Sequence, residues 1–427
     1  MKRRDFLIKT VLLGAAGLTM PTSRLYGASD DGYSGRLLVA LQADGGWDVT
    51  SFCDPKTNQP GEKEITNWSK NQDIQSAGNI KYAPFGGNKR FFESYHQDML
   101  VINGVDMQTN SHTTGILHNW SGRNSEGYPT LTAMFAAHYA PQQPLSYLNF
   151  GGFGQTANLI RYSRIEDLFT LRNLLAPEIS GEGSLRRSTD INRIRAFRKD
   201  KLDRMIGNPK ILNRHRINLE AYEGALNSKG SLTRFDRFLP KEEDLLEGTQ
   251  ISQMTFSNLK PQIQITMAAF QAGLASAADL FIGGYDTHTD HDNLHEPLLE
   301  HTTDAIDFFW RSAEQAGIAD RLTLVIGSDF GRTPHYNATN GKDHWPIGSV
   351  IIMEKNALWT DKTLGHTDEG HNAYRINPGT LEVDDRNGTI IYPKHVHKAL
   401  RRHLGLENTV VEENLKFTNT EDFSFFL

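Results

Sequence analysis

The chain has 427 residues and a formal net charge of −6, with 38% hydrophobic residues, 22% charged residues and one cysteine. The apolar fraction is too high for a disordered chain and is enough for a substantial core. The lone Cys53 excludes an intramolecular disulfide framework and a cysteine-rich zinc module, and the charge lacks the basic excess of a nucleic-acid binder. Sixteen histidines, ten of them between His288 and His397, remain to be explained.

The first 28 residues predict an export signal. Met1–Met20 combines a basic start with the apolar run Val11–Met20, which is too short to span a bilayer. Arg3-Arg4 resembles the twin-arginine signal, which exports proteins that have already folded. We expect cleavage near residue 28 and a periplasmic or extracellular protein with no stable membrane span. An ordinary secretory signal or an uncleaved anchor is the alternative interpretation.

Short apolar runs recur along the rest of the chain and predict buried strands. They are Leu37–Leu41, Met99–Val105, Leu280–Gly283, Leu322–Gly327 and Ser349–Met353. Apolar residues at helical spacing predict helices over Thr130–Tyr139, Leu294–Gly317 and His395–Leu404, and Gly317 is placed to end the second of them. The alternation of strands and helices predicts one α/β domain over residues 29–427 with a mainly parallel sheet.

The middle of the chain, from about 184 to 260, is strongly charged and has helix-like stretches over Ile191–Met205 and Arg216–Leu226. This pattern predicts a solvated helical insertion on the sheet. The alternative is a lid that supplies an arginine to an anionic ligand, for which Arg186, Arg187 and Arg193 are candidates.

Polar side chains follow four of the predicted strands, where ligands bind in an open parallel sheet. The chemistry-bearing residues at these strand ends are Asp44, Asp48, Ser111, His112, Asp286, His288, His291, Asp329, Arg332, Asp343 and His344. Carboxylates and neutral imidazoles bind zinc, manganese and similar ions, so the set indicates metal-assisted hydrolysis. Any single Asp could instead cap a turn or helix, and histidines on predicted helix faces could be structural. The latter are His295, His301, His395, His397 and His403.

At these residues the sequence resembles the family called "domain of unknown function 1501", a group related to the alkaline phosphatase and sulfatase superfamily. The matching motifs are Leu41–Asp48, Ser111-His112, Tyr285–His288, Ser328–Thr333 and Gly341–Trp345. The resemblance implies an alkaline-phosphatase-like core, a three-layer α/β/α sandwich. It also implies a divalent metal (zinc, or manganese or calcium) and an anionic ester or saccharide substrate.

The resemblance further implies roles for individual residues. The implied metal ligands come from three strand ends: Asp44 or Asp48, Asp286 with His288 or His291, and Asp329 with His344. Ser111 is the implied nucleophile, and His112 is a ligand or a general acid/base. Arg332 could hold a phosphate or sulfate group bidentately, or could form a structural ion pair with a nearby aspartate.

Two departures from the superfamily pattern leave the function open. Phe330 stands where a histidine ligand commonly follows the aspartate, and Cys53–Thr57 lacks the arginine of the sulfatase pattern. The first hypothesis is an exported metal-dependent hydrolase of phosphate or sulfate esters, acting on saccharide or envelope substrates. The second is a non-catalytic relative with at most one structural metal, which binds a polysaccharide or an envelope assembly partner. Phe330 favours the second hypothesis, whereas the retained Asp286–His288 and Asp343-His344 favour the first. Oligomeric state is not indicated by the sequence.

Overall fold

A computed structural model describes residues 32–69, 73–164, 188–213, 215–216, 219, 222–223 and 229–427. The predicted export signal at 1–28 lies outside the described residues, as do Arg186 and Arg187 of the predicted lid. The helix predicted over Arg216–Leu226 lies only partly within them.

The described elements confirm the five predicted core strands and the three predicted helices. The strands are β1 (Leu37–Ala43), β2 (Gln75–Ala77), β3 (Ile80–Tyr82), β4 (Met99–Asp106), β5 (Tyr147–Asn149), β6 (Ser163–Arg164), β7 (Thr249–Gln250), β8 (Phe256–Ser257), β9 (Ala277–Ile282), β10 (Leu322–Ser328), β11 (Gly331–Arg332), β12 (His344–Trp345), β13 (Ile347–Glu354) and β14 (Lys362–Leu364). The α-helices are α1 (Asn88–Tyr95), α2 (His112–Ser121), α3 (Leu131–Tyr139), α4 (Ser188–Ile206), α5 (Lys229–Phe238), α6 (Leu259–Gln271), α7 (His291–Gln315) and α8 (Pro393–His403). Short 3₁₀ helices span Val49–Ser51, His96–Asp98, Glu242–Asp244 and Ala319–Arg321.

One eight-stranded sheet organises the fold, in the order β14-β4-β13-β10-β1-β9-β5-β6. The central strand β1 is parallel to both of its neighbours, β10 and β9. Strand β13 is antiparallel to β10 and to β4, so β4 runs in the same direction as β1. The mainly parallel sheet is therefore confirmed, and the carboxyl ends of β1, β4, β9 and β10 meet at one edge.

Helices cover both faces of this sheet. Leu37, Val39 and Leu41 of β1 belong to one buried cluster, which also holds apolar residues of α1, α6 and α7. Leu38 and Ala40 point into the opposite cluster, with residues of α2, α3 and α8. All seven residues of β1 are buried, as expected of a parallel strand covered on both sides. The three-layer α/β/α arrangement is thus confirmed.

The helix ends follow local chemistry. Helix α7 is followed by Gly317, whose φ of 67° lies in the left-handed region that glycine adopts without strain.

In the charged middle, α4 is mostly exposed along its described length. Within the described part of the chain, no helix has both the length and the apolar character needed to cross a bilayer.

Candidate metal centre

Three imidazoles and one carboxylate come together at the carboxyl edge of the sheet. His112 begins α2 after β4, Asp286 and His288 follow β9, and His344 lies in β12, which pairs with β11 beyond β10. Oδ1 of Asp286 lies 3.0 Å from Nε2 of His288 and 3.2 Å from Nε2 of His344. Oδ2 of Asp286 lies 3.6 Å from Nε2 of His112, and the Nε2 atoms of His288 and His344 are 2.9 Å apart. We call these four residues the metal centre.

The other ring nitrogen of each imidazole faces an oxygen acceptor. Nδ1 of His288 lies 2.9 Å from a carboxylate oxygen of Asp343, and Nδ1 of His344 lies 2.9 Å from the carbonyl oxygen of Asn110. Nδ1 of His112 contacts Oδ2 of Asp329. Each acceptor favours the tautomer with its proton on Nδ1, which leaves the Nε2 lone pair directed towards Asp286.

The distances within the metal centre suit a small divalent cation. Zinc binds nitrogen at about 2.0–2.1 Å, so the ligand atoms of a tetrahedral site lie about 3.3 Å apart. Asp286 Oδ1 and the Nε2 atoms of His288 and His344 are separated by 2.9, 3.0 and 3.2 Å, close to that value. Nε2 of His112 lies 3.6 Å from the other oxygen of the same carboxylate. The side chain of Asp286 is half exposed, so an ion and a ligand from solution can reach the centre.

Asp329 lies behind the metal centre rather than in it. Its side chain is fully buried, and Oδ1 accepts hydrogen bonds from the backbone N–H groups of Gly45 and Gly46 and from the Ser328 hydroxyl, at 3.1, 2.8 and 2.7 Å. Its other oxygen holds His112, and this hydrogen bond raises the pKa of the His112 imidazole. Asp329 therefore orients a candidate ligand.

Asp44 lies near the metal centre at the end of β1. Partial burial raises the pKa of its carboxyl group, and the neighbouring negative charges of Asp329 and Asp286 raise it further, against a hydrogen bond from Gln42 and the charge of His112. A cation close to these carboxylates would offset their mutual repulsion.

The buried Arg332 holds the ligand-bearing loops together. Its Nε donates to the carbonyl of Gly46 at 2.8 Å, Nη1 donates to that of Lys342 at 3.0 Å, and Nη2 contacts Asp286 Oδ1 at 2.5 Å. Although burial raises the pKa of the Asp286 carboxyl, the hydrogen bond and charge of Arg332 outweigh it and lower that pKa to about 2. Of the two interpretations of Arg332, the geometry favours the structural ion pair over a substrate contact.

Asp48 and His291, both predicted as metal ligands, lie in a different cluster. Their side chains are fully buried, and Asp48 Oδ2 accepts from Nζ of Lys342 at 2.7 Å and faces Nε2 of His291 at 3.0 Å. Asp48 Oδ1 accepts from the hydroxyl and the backbone N–H of Thr50, at 2.6 and 2.9 Å. Between the paired alternatives, the structure therefore places Asp44 and His288, rather than Asp48 and His291, beside Asp286.

Phe330 fills the place where the superfamily pattern would supply a histidine. Its ring is fully buried, and its centroid lies 4.8 Å from that of His112 and 4.5 Å from that of His344. It therefore forms an apolar floor under two of the candidate ligands.

Ser111 is exposed at the residue before α2, and its side chain makes no capping hydrogen bond to the helix. The Ser111 hydroxyl is therefore not used to cap the helix, and it lies one residue before His112. The sequence singles out Asp343 beside His344 but does not indicate that it supports His288. It gives no role to Lys342, because a lysine after a glycine resembles a surface residue.

The helix-face histidines bond to the protein itself, as the structural interpretation expects. His295 Nε2 accepts from the backbone N–H of Asp48 at 3.1 Å, and His397 Nε2 lies 2.8 Å from the carbonyl oxygen of Asn119. The remaining pairs are His301 with Ser257, His395 with Glu421, and His403 with Glu354.

Comparison with solved structures gave distant similarities. A structure of Ps i-CgsB in complex with k-i-k-neocarrahexaose has a TM-score of 0.39 and 7% identity, and the match covers 88% of this chain and 73% of that one. An alkaline phosphatase superfamily protein from Vibrio parahaemolyticus has a TM-score of 0.37 and 10% identity, covering 95% and 76%. A variant of alkaline phosphatase from the Antarctic bacterium TAB5, with Mg bound, has a TM-score of 0.30 and 8% identity, covering 76% and 91%. Similarity at this level does not assign a substrate.

No curated protein matches the sequence significantly. Residues 263–414 match the model of the family described as "Protein of unknown function (DUF1501)". The matched segment contains Asp286, His288 and His344 of the metal centre. The resemblance to the DUF1501 family, seen in the sequence motifs, is therefore confirmed over this part of the chain.

Proposed function

We propose that this protein is an exported, metal-dependent hydrolase of phosphate or sulfate esters. The observation that carries the proposal is the convergence of three Nε2 atoms on the two carboxylate oxygens of Asp286, with each Nδ1 held by an oxygen acceptor. Such acceptors are the usual outer partners of metal-binding histidines. A merely structural cluster does not need three lone pairs directed at one half-exposed carboxylate.

His112, Asp286, His288 and His344 would hold the ion. When bound, a divalent cation there would neutralise charge on an anionic ester and lower the pKa of a water or hydroxyl beside it. The Ser111 hydroxyl is the nucleophile that we propose, because it is exposed one residue before His112. The backbone N–H groups that begin α2 would favour negative charge on a substrate at the same place.

The substrate that we propose is an anionic ester on a saccharide or other envelope component, in keeping with the predicted export. Export itself is tested by replacing Arg3 and Arg4 with lysine and comparing cytoplasmic and periplasmic fractions. Cytoplasmic retention of the doubly substituted protein supports the twin-arginine route, and unchanged export contradicts it.

One observation favours the second hypothesis, a non-catalytic protein with a single structural metal. Phe330 removes one superfamily ligand position and packs under the rings of His112 and His344. A protein of this kind would bind one ion and a polysaccharide or assembly partner without turnover.

Metal analysis combined with turnover separates the two hypotheses. Purified protein is analysed for metal before and after chelation, then assayed with an aryl phosphate and an aryl sulfate. The hydrolase predicts turnover that is lost with the metal, and in Asp286→Ala and His344→Ala. His366→Ala, at an exposed histidine outside the metal centre, is the matched control and should remain active.

Ser111→Ala tests the nucleophile. It should abolish turnover and leave metal content unchanged. Bound metal without turnover of either ester would favour the second hypothesis, and a folded protein that binds no divalent metal would contradict both the centre and the hydrolase.

A further inference from the structure

Lys342 is buried among the loops that carry the metal centre. Its side chain and that of Asp48 are both 0% exposed, and their charged atoms are 2.7 Å apart. Nζ of Lys342 also donates to the Thr50 hydroxyl at 2.9 Å. A buried ion pair contributes little net stability after desolvation, so its presence beside a candidate site calls for another explanation.

The backbone of Lys342 contacts two other segments of the site. Its N–H donates to the carbonyl of Thr287 at 3.1 Å, and Thr287 lies between Asp286 and His288. Its carbonyl accepts from Arg332 Nη1, and Arg332 in turn contacts Asp286. The two residues that follow Lys342 are Asp343, which holds His288, and His344, which is a candidate ligand. Lys342 thus links the segments that carry Asp286, His288 and His344, but not the segment that carries His112.

The loop before Lys342 is packed tightly on the segment after β9. A Cβ atom added at Gly341 would lie 1.8 Å from the carbonyl oxygen of His288. Thr289 and Asn340 form an antiparallel bridge, and the backbone N–H of His291 donates to the carbonyl of Asn340 at 2.9 Å. Backbone contacts therefore hold the two segments together, and the buried side chain of Lys342 anchors them.

We propose that the buried pair Asp48–Lys342 is the positioning element of the metal centre. It fixes the spacing between Asp286–His288 and Asp343-His344, and so determines the affinity of the centre for a divalent cation without contacting the ion. This inference rests on the proposed metal centre, and it gives Asp48 a positioning role in place of the predicted ligand role.

The test removes both charges together, in the double variant Asp48→Asn with Lys342→Met, so that no unpaired charge is left buried. Zn²⁺ affinity is measured by competition with a chromophoric chelator, and Co²⁺ is titrated to read the geometry from its visible absorption. We expect at least tenfold weaker Zn²⁺ binding, unchanged stoichiometry and an altered Co²⁺ spectrum. The matched control is Arg401→Met with Glu412→Gln, which removes another buried ion pair, in which Arg401 Nη1 and Glu412 Oε1 are 3.7 Å apart. It should leave both metal readouts as in the unaltered protein.

Wild-type Zn²⁺ affinity and Co²⁺ spectrum in the double variant would overturn the positioning role while leaving the metal centre intact. If the unaltered protein binds neither ion, the metal centre itself fails, and this inference fails with it. If the double variant does not fold, Thr50→Val provides the test, because it keeps the ion pair and removes only the hydroxyl that bonds to both Lys342 and Asp48. We expect about threefold weaker Zn²⁺ binding in Thr50→Val, and no change would overturn the proposal.

Discussion

Two clusters of aspartate and histidine lie side by side at the edge of the sheet, and they differ in exposure and in what their side chains face. In the metal centre the carboxylate of Asp286 is half exposed, and three Nε2 atoms face it. In the buried cluster the carboxylate of Asp48 is fully enclosed and pairs with Lys342, Thr50 and His291. The same residue types leave nitrogen lone pairs converging in the first cluster, as a metal site requires, and form a scaffold in the second, where the polar atoms already have partners.

A third aspartate sharpens this contrast. Asp279 lies in β9, fully buried, and its carboxyl group contacts Tyr147 and Asn149, which are neutral. Without a cation, burial raises the pKa of Asp279 to about 7, against the hydrogen bonds that stabilise its charge. For Asp48, by contrast, the charge of Lys342 and the hydrogen bond from His291 outweigh burial and hold the pKa well below its usual range. The difference shows that a buried aspartate takes its charge state from its partner.

The largest effect is expected when the buried pair is broken on one side. Lys342→Met leaves Asp48 buried without its cation, and should lower the free energy of unfolding by about 3–5 kcal/mol. Urea denaturation of metal-free protein measures this loss. The double variant with Asp48→Asn should recover much of it. Lys355→Met, which removes a surface partner of Glu314, should leave stability nearly unchanged. If Lys342→Met protein were as stable as the unaltered protein, the claim that Asp48 depends on Lys342 for its buried charge would be wrong.

The next effect is a pH dependence of stability that comes from Asp279. Because its folded pKa is raised, the folded state holds this proton more tightly than the unfolded state, whose pKa lies near 3.9. The stability contribution is complete below pH 4 and is lost as the pH rises to about 7. We expect the free energy of unfolding of the unaltered protein to fall, relative to Asp279→Asn, by about 2–4 kcal/mol between pH 4 and pH 7. Urea denaturation at both pH values checks this, and parallel behaviour of the two proteins would count against it.

A smaller effect is expected from Asp343→Asn, which weakens the acceptor for Nδ1 of His288. Loss of such an outer partner commonly lowers metal affinity about 10–100-fold. The exposed position of Asp343 predicts little change in the stability of metal-free protein. Zn²⁺ competition and thermal unfolding separate the two quantities. Affinity that is unchanged in this variant would show that His288 is not a ligand.

The smallest effect should come from Phe330→Leu, which keeps an apolar floor under His112 and His344. A hydrophobic swap of similar volume usually costs less than about 1.5 kcal/mol. We expect Zn²⁺ affinity to change by less than in Asp343→Asn, because no ligand or acceptor is removed. A larger loss of affinity would mean that the aromatic ring itself orients the two imidazoles.

Much of the fold could be predicted because parallel strands covered on both faces appear as continuous apolar runs. Leu37–Leu41 and Leu322–Gly327 are each within two residues of the observed strands, and Gly317 follows the helix that it was expected to end. The direction of β13 could not be predicted, since an apolar run has the same composition whichever way it runs. Neither does the sequence alone give the sheet order, because it depends on pairings between distant segments.

For the candidate site, the strand ends that meet at one edge of the sheet could be predicted, but not the pairing between their residues. Both Asp44 and Asp48 follow β1, and only the partner of each carboxylate distinguishes them. The partner of Asp48 is Lys342, which lies 294 residues away along the chain. Likewise, Arg332 resembles a substrate contact in sequence, and only its complete burial against backbone carbonyls indicates the structural role.

Zinc titration of the metal-free protein tests the metal centre most directly. The geometry predicts one tightly bound Zn²⁺ per chain, which Co²⁺ replaces with the intense visible absorption of a four-coordinate site. Asp286→Ala should weaken binding at least about 100-fold, while His366→Ala should bind as the unaltered protein does. A folded protein that binds no Zn²⁺, or that binds it equally well in Asp286→Ala, would contradict the account.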